Sequence, residues 1–451
     1  MSGVFGTAEV IMTPLPDISL QDRGPSNRWW MLFLVALAYF VLIQHRSLVG
    51  YVQIPLSEEL QLTKTQTGWL DTAFLIPYAI SQLFVAYLSD RFQRRRVLSV
   101  SLMASSLCLV GMSFAGSFGA LLALRIVLGF AQSASVPAIA GVMADCFTPR
   151  NRSTAVGVYN LSLNLAFIVV GTMGGRLADL PDMDLSLQWL GIESLSGWRS
   201  AMLCFGGVGI VAAVLLGVVM PEPLRTERQA ARGLGTGGAA WHQTLWSVLR
   251  VRSFVMLALG FLGFCMVDNA QNFWLSRHYV ESMQMTNAEA GQFATIWYRP
   301  AAFGGLLLGG FLADRWAKSR MRGRIDVQIL GMFIWVPTLI VLGSSDSVYV
   351  LAPTMAVIGV AYGLYVSNLW TTAFEVIDPA ARSTAIGLLN VIAVPASLTS
   401  PVIGYLIDQE YVELGQAISG LSVIALVIAA LLAINARVFL PGDYHGPLRD
   451  S

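Results

Sequence analysis

Charge is what this chain has least of. Lys, Arg, Asp and Glu make up 12% of its 451 residues, where a soluble domain carries about a quarter, so water is not its main solvent. Net charge is nearly absent too: a formal +1 supplies no field to hold nucleic acid. Cysteine is scarce. Cys108, Cys146, Cys204 and Cys265 sit in or at the ends of apolar stretches without metal-ligand spacing, so they read as small core hydrophobes and no metal site is expected. Residues 1–28 lack the basic start and small-residue cleavage site of a signal peptide, so the first apolar segment is expected to direct insertion itself. No Ser/His/Asp set or phosphate-cradling Gly loop lies on a polar face, and no polar stretch is long enough to fold alone. Those absences exclude an enzyme, and no cofactor is expected.

Long apolar runs are what the chain does have. Hydrophobic residues reach 55%, and stretches free enough of charge to cross a bilayer, which takes about 20 residues each, occur at 29–56, 67–88, 97–116, 119–145, 154–175, 199–220, 253–275, 293–313, 327–344, 349–372, 384–406 and 415–440. The pattern Arg-Ser-Thr-Ala-x-Gly-x-x-Asn occurs twice, from Arg152 to Asn160 and from Arg382 to Asn390, 230 positions apart. Leu88-Ser89-Asp90-Arg91 is echoed by Leu312-Ala313-Asp314-Arg315, 224 positions on. Two signatures at nearly one offset mean two related halves end to end, the usual build of a secondary transporter with its site where the halves meet. The expected fold is an all-α polytopic membrane protein of twelve helices in two pseudo-symmetric six-helix bundles. Its parts are a tail (1–28), a first bundle (29–220), a Gly-rich linker (221–250), a second bundle (251–440) and a tail (441–451). The loop 176–198 is expected to form a lid or spacer through Leu185, Leu187, Trp189 and Leu190.

Lys and Arg set the orientation. Loops and tails on one side hold 21 of them and those on the other hold only Lys64, Arg176, Arg199 and Arg277. By the positive-inside rule both termini are expected in the cytoplasm, the protein lying in the plasma (inner) membrane.

The Asp-Arg pairs have a physical use. A carboxylate at the cytoplasmic end of a helix can pair with Arg94, Arg95 or a neighbouring helix N-terminus and hold the halves shut there. The segment from Ala86 to Arg95, with Asp90, Arg91, Arg94 and Arg95 in place, resembles the loop motif Gly-x-x-x-Asp-Arg-x-Gly-Arg-Arg of the major facilitator superfamily, although Ala86 and Gln93 stand where glycines are usual. The second copy keeps Gly310, Asp314 and Arg315. The resemblance covers nearly the whole chain and implies two six-helix bundles rocking about a central cavity.

Charges in a bilayer core cost several kcal/mol, so each is a functional candidate. Arg46, Arg125, Asp268 and Arg299 stand out. Three arginines against one carboxylate call for an anionic guest, and Arg46 has the strongest claim to fork onto it. For Arg125 a structural or coupling role is favoured, and for Arg299 support of backbone freed by Pro300 is as good a reading as substrate contact. Asn269, Asn272 and Tyr298 add amides and a hydroxyl that suit a hydroxylated acid.

Within the superfamily the chain resembles the anion:cation symporters. Their helix-one Asp-Arg has His45-Arg46 as counterpart, closed by Pro55; their helix-four motif has Arg125-x-x-x-Gly129-x-x-Gln132-Ser133; their helix-ten Ser-x-x-Trp has Ser367-x-x-Trp370. Asn390 matches the helix-eleven asparagine, Gly197-Trp198-Arg199 the opening of helix six, and Trp274-Leu275-Ser276 only part of Trp-Leu-Pro. The resemblance implies Arg46, Ser367, Trp370 and Asn390 at the substrate. Both proton-carrying carboxylates of the family are missing, replaced by His45 and Gln132. Three readings stay open: His45 carries the proton, Asp268 does, or transport is uncoupled. The expected function is transport of a small organic anion, such as a sugar acid, by a monomer in a lipid bilayer, with a spinster-like carrier of an amphiphilic lipid as the alternative.

Overall fold

The computed structural model describes residues 27–147, 149–182, 195–222, 241–378 and 381–444. The expected lid residues Leu185 to Leu190, most of both tails and most of the linker fall outside them, as do the side chains of Asp90 and Arg91.

Twelve long helices carry the described residues. The first six are α1 (Arg28–Glu59), α2 (Lys64–Arg91), α3 (Arg94–Ser113), α4 (Phe118–Cys146), α5 (Thr154–Ala178) and α6 (Gly197–Val219). The second six are α7 (Arg252–Met283), α8 (Asn287–Ile296, then Tyr298–Ala317), α9 (Gly323–Ser344), α10 (Val348–Val376), α11 (Thr384–Asp408) and α12 (Leu414–Asp443). Ten of these are long and apolar enough to cross a membrane. Within the first half α3 packs on α6, α2 on α4 and α1 on α5; within the second α8 packs on α10 and α9 on α12.

One expectation needs correcting: Pro55 does not close α1, which runs on to Glu59 with Pro55 inside it. Within the linker, Trp241–Arg250 is a helix lying against α7 and α11.

Breaks mark the middle of the molecule. α1 is interrupted at Leu48, two residues after Arg46, and α8 at Trp297, just before Arg299 and Pro300. α11 passes through a 3-10 turn, Val394–Leu398, at Pro395. A proline there removes a donor, and irregular backbone within a bilayer is tolerated only where other groups take its polar atoms. Thr72 of α2 does this, donating from Oγ1 to Ser397 O at 2.6 Å.

The halves meet tightly at the end away from the termini, called here the far end. α2 lies on α11, α1 on α7 and α5 on α8. Glycines permit the approach: a Cβ on Gly171 would sit 2.6 Å from Gly291 O, and one on Gly68 would sit 2.6 Å from Ser400 O.

Candidate functional site

Between the halves, just below the far-end contact, lies a cavity of about 140 Å³. α1, α2 and α5 wall it from one half with Arg46, Ser47, Tyr51, Asp71, Phe74 and Phe167. α7, α8 and α10 wall it from the other with Asp268, Asn269, Asn272, Arg299 and Tyr362. Charged and hydroxylated groups thus share the wall with aromatic faces.

The three membrane arginines are not equivalent. Arg125 is buried and committed: Nε donates to Leu70 O at 2.7 Å and Nη1 to Arg46 O at 3.1 Å. It braces α4 against α1 and α2 from behind the cavity wall. Gly129, one turn on, allows this, since a Cβ there would lie 2.5 Å from Phe74 O. Arg299 donates from Nη2 to Asn272 Oδ1 at 2.7 Å and lies 3.5 Å over the Phe167 ring, which belongs to the other half; its Nε has no partner among the described residues. Arg46 faces the cavity with no hydrogen-bond or ion-pair partner for its guanidinium among the described residues, its contacts being the Phe74 and Tyr78 rings, each 5.9 Å away. Aromatic faces stabilise a guanidinium without using up its five donors.

Two carboxylates, not one, face the same space. Asp268 accepts from Asn272 Nδ2 at 2.8 Å, with the Tyr298 hydroxyl 3.5 Å away. Asp71, on α2, accepts from Ser400 Oγ of α11 at 2.9 Å and lies in the field of Arg125 and Arg46. It lies four residues inside the stretch 67–88 and was not among the residues singled out from sequence. Three guanidinium groups against two carboxylates leave one positive charge over.

Of the residues singled out from sequence, Arg46, Asp268, Asn269, Asn272 and Arg299 come together on the cavity wall, with buried Tyr298 behind them. Others lie elsewhere. His45 is lodged between α1 and α6, its Nε2 donating to Phe205 O at 3.1 Å and its ring against Gly209. Gln132 donates to Leu42 O at 3.1 Å, joining α4 to α1. Ser367 turns back on its own helix, donating to Leu364 O, and Trp370 lies nearer the terminus end against Phe261, while Asn390 is half-buried on α11. Tyr51, Phe74 and Phe167 are wall residues that sequence did not flag, because an aromatic in an apolar helix gives no signal of its own.

The arginines at the terminus end bind within their halves. Arg94 Nε pairs with Asp145 at 3.0 Å, while the Arg94 and Arg95 amides donate to Glu222. Arg324 pairs with Glu375 at 2.8 Å and with Asp314 at 3.1 Å; Arg315 is exposed. These bonds stay within each half, and the side chains of Asp90 and Arg91, on which the expected clamp across the halves centres, lie outside the described residues. Arg94 and Arg324, like Asp145 and Glu375, are 230 positions apart, the period of the sequence repeat.

The family model of the Major Facilitator Superfamily matches residues 31–401. The cis,cis-muconate transport protein of Acinetobacter baylyi is 24% identical over 93% of this chain and 98% of its own. A probable galactarate/D-glucarate transporter of Bacillus subtilis is 24% identical over 96% and 97%, and a phosphoglycerate transporter protein of Salmonella typhimurium 24% over 84% and 82%. Among solved structures, a bacterial homolog of the human lysosomal transporter Spinster, inward-facing and unoccupied, superposes with a TM-score of 0.78 at 20% identity over 94% of this chain and 99% of that one.

Proposed function

The chain belongs to the major facilitator superfamily, and from that premise we propose that it is a secondary transporter carrying a small organic anion, a sugar acid or another carboxylate, across the membrane by alternating access. The observation that carries this is the Arg46 guanidinium, turned into the cavity between the halves with its donors unused. A carboxylate would take two of those donors as a fork, and the surplus positive charge around it would be neutralised. Arg299 lines the same cavity from the other half. Hydroxyls and amides of Ser47, Tyr51, Asn269 and Tyr362 suit the hydroxyl groups of a sugar acid. Relatives named for muconate and for galactarate or glucarate support the same class.

The likeness to the Spinster homolog is one of fold and brings no cargo with it. A cavity of about 140 Å³ walled by two arginines and two aspartates does not suit an acyl chain, since buried charge beside hydrocarbon is costly. Closure at the far end, together with the Lys and Arg bias, reads as a cavity facing the cytoplasm, with both termini on that side of the plasma membrane. The transporting unit is the single chain, because one chain supplies every wall of the cavity. A thermal-shift screen of the purified protein against sugar acids, dicarboxylates, phosphorylated sugars and lysolipids tests the reading. An acid should stabilise the wild type and fail to stabilise Arg46→Ala; stabilisation by lysolipids alone would replace the anion with a lipid cargo.

A further inference from the structure

The family's two proton-carrying positions hold His45 and Gln132 here, and neither lines the cavity. Resting on the anion reading above, we propose that Asp71 of α2 is the group that takes up a coupling proton, and that it does so by competing with the transported anion for Arg46. Its carboxylate is placed for this on three counts. It lines the cavity, and it lies in the field of Arg46 from α1 and Arg125 from α4. It also accepts from Ser400 Oγ, which belongs to α11 of the opposite half. Asp268, across the cavity on α7 beside Arg299 of α8, is different. Arg299 is its nearer cation and it also feels Arg46 across the cavity, but its hydrogen-bond partners Asn272 and Tyr298 both belong to its own half, so among the described residues it makes no bond that joins the halves.

The chemistry is one proton transfer from hydronium: an O–H bond of the hydronium breaks, its electron pair staying on the water oxygen, and an O–H bond forms on the Asp71 carboxylate. While ionised, Asp71 neutralises part of the positive charge that an anion would otherwise meet at Arg46. Protonated, it releases that charge, so proton and anion each favour the other's binding, and the two effects are equal by linkage. Protonation also turns the charge-assisted Ser400 bond across the halves into a weaker neutral one. That places a proton-dependent contact where α2 meets α11, the seam that has to part in alternating access. His45 is bonded to Phe205 O away from the cavity and takes no part.

The test is the pH dependence of anion binding by the full-length protein in detergent, with glucarate and muconate as probes. In the wild type the Kd should rise as pH rises, by up to about tenfold per pH unit for one linked proton. Asp71→Asn, which imitates the protonated acid, should bind with a Kd that no longer varies with pH. Asp71→Glu should restore the slope and shows that the position tolerates change; Asp268→Asn should keep it. A slope that persists in Asp71→Asn, or is lost in Asp268→Asn instead, overturns the assignment. Wild-type binding that is flat with pH overturns it while leaving the anion reading intact. Failure of the wild type to bind either acid at any pH counts against the anion reading itself and takes this inference with it.

Discussion

Asp179 and Asp408 do the same work at positions related by the internal repeat. Asp179, past the end of α5, accepts from the Asn287 and Ala288 amides at the start of α8, at 3.1 and 2.7 Å. Asp408, at the end of α11, accepts from the Lys64 and Thr65 amides at the start of α2, at 3.0 and 2.7 Å. Each carboxylate from one half satisfies orphan amides and the positive dipole end of a helix in the other. The two together form a matched pair of staples across the far end.

Loss of both staples should open that end. A side-chain cap is worth about 1 kcal/mol, so Asp179→Ala with Asp408→Ala should shift the balance between closed and open far ends by roughly thirtyfold. Spin labels at exposed Glu58 and Gln409, one on each half, should report a longer distance population in the double variant. An unchanged distance distribution would deny the staples their role.

Bulk at the glycine contact should act more strongly. Gly171→Val places a branched side chain where even a Cβ would lie 2.6 Å from Gly291 O, and backbone cannot yield as a flexible side chain can. The variant should insert and fold but fail to close its far end, losing transport while a cysteine placed at Ala290, buried in the closed contact, becomes readily labelled. Normal transport would mean that the α5–α8 contact is not part of the cycle.

Glu59 is a stability residue. It accepts from Ser196 Oγ, Trp198 Nε1 and Arg199 Nε, the last at 2.8 Å, and Arg199 is itself buried. Glu59 is 35% exposed and Arg199 keeps its bond to Ser113 O, so Glu59→Ala should lower stability by only about 1 kcal/mol, read as a fall in melting temperature without a change in anion specificity. A variant as stable as the wild type would show the cluster to be solvated.

Much of this fold could be read from the chain itself, because bilayer-crossing helices announce themselves by length and duplication by its period. The limits came from charge. The stretch expected to end at 275 runs as α7 to Met283, because Arg277 and Glu281 pair one turn apart at 2.7 Å and Glu281 also takes Lys64. A scan for apolar runs stops at such residues, whereas a helix that solvates them on each other does not. Asp71 was passed over for a related reason: near the polar residues that open α2 it resembles a helix-start acid, and only the packing of α11 shows it enclosed. Arg46, Arg299 and the α7 amides were legible as intramembrane polar groups. That Arg125 and Gln132 spend their donors on backbone carbonyls depends on the helix contacts, which no spacing reveals.

Replacing Arg46 separates charge from geometry. Arg46→Lys retains the positive charge but not the fork, so anion affinity should fall by about tenfold, and Arg46→Ala should lose about a hundredfold or more, as for a charge-assisted bond worth roughly 3 kcal/mol. Equal affinity in the lysine and arginine proteins would make Arg46 a field source and not a direct ligand.

Uptake of labelled glucarate or muconate into vesicles holding the purified chain tests the central claim most directly. Saturable uptake by the wild type, absent from Arg46→Ala and untouched by excess lysolipid, is the result expected of a small-anion carrier. Uptake that survives loss of the Arg46 guanidinium, or that lysolipid abolishes, would contradict it.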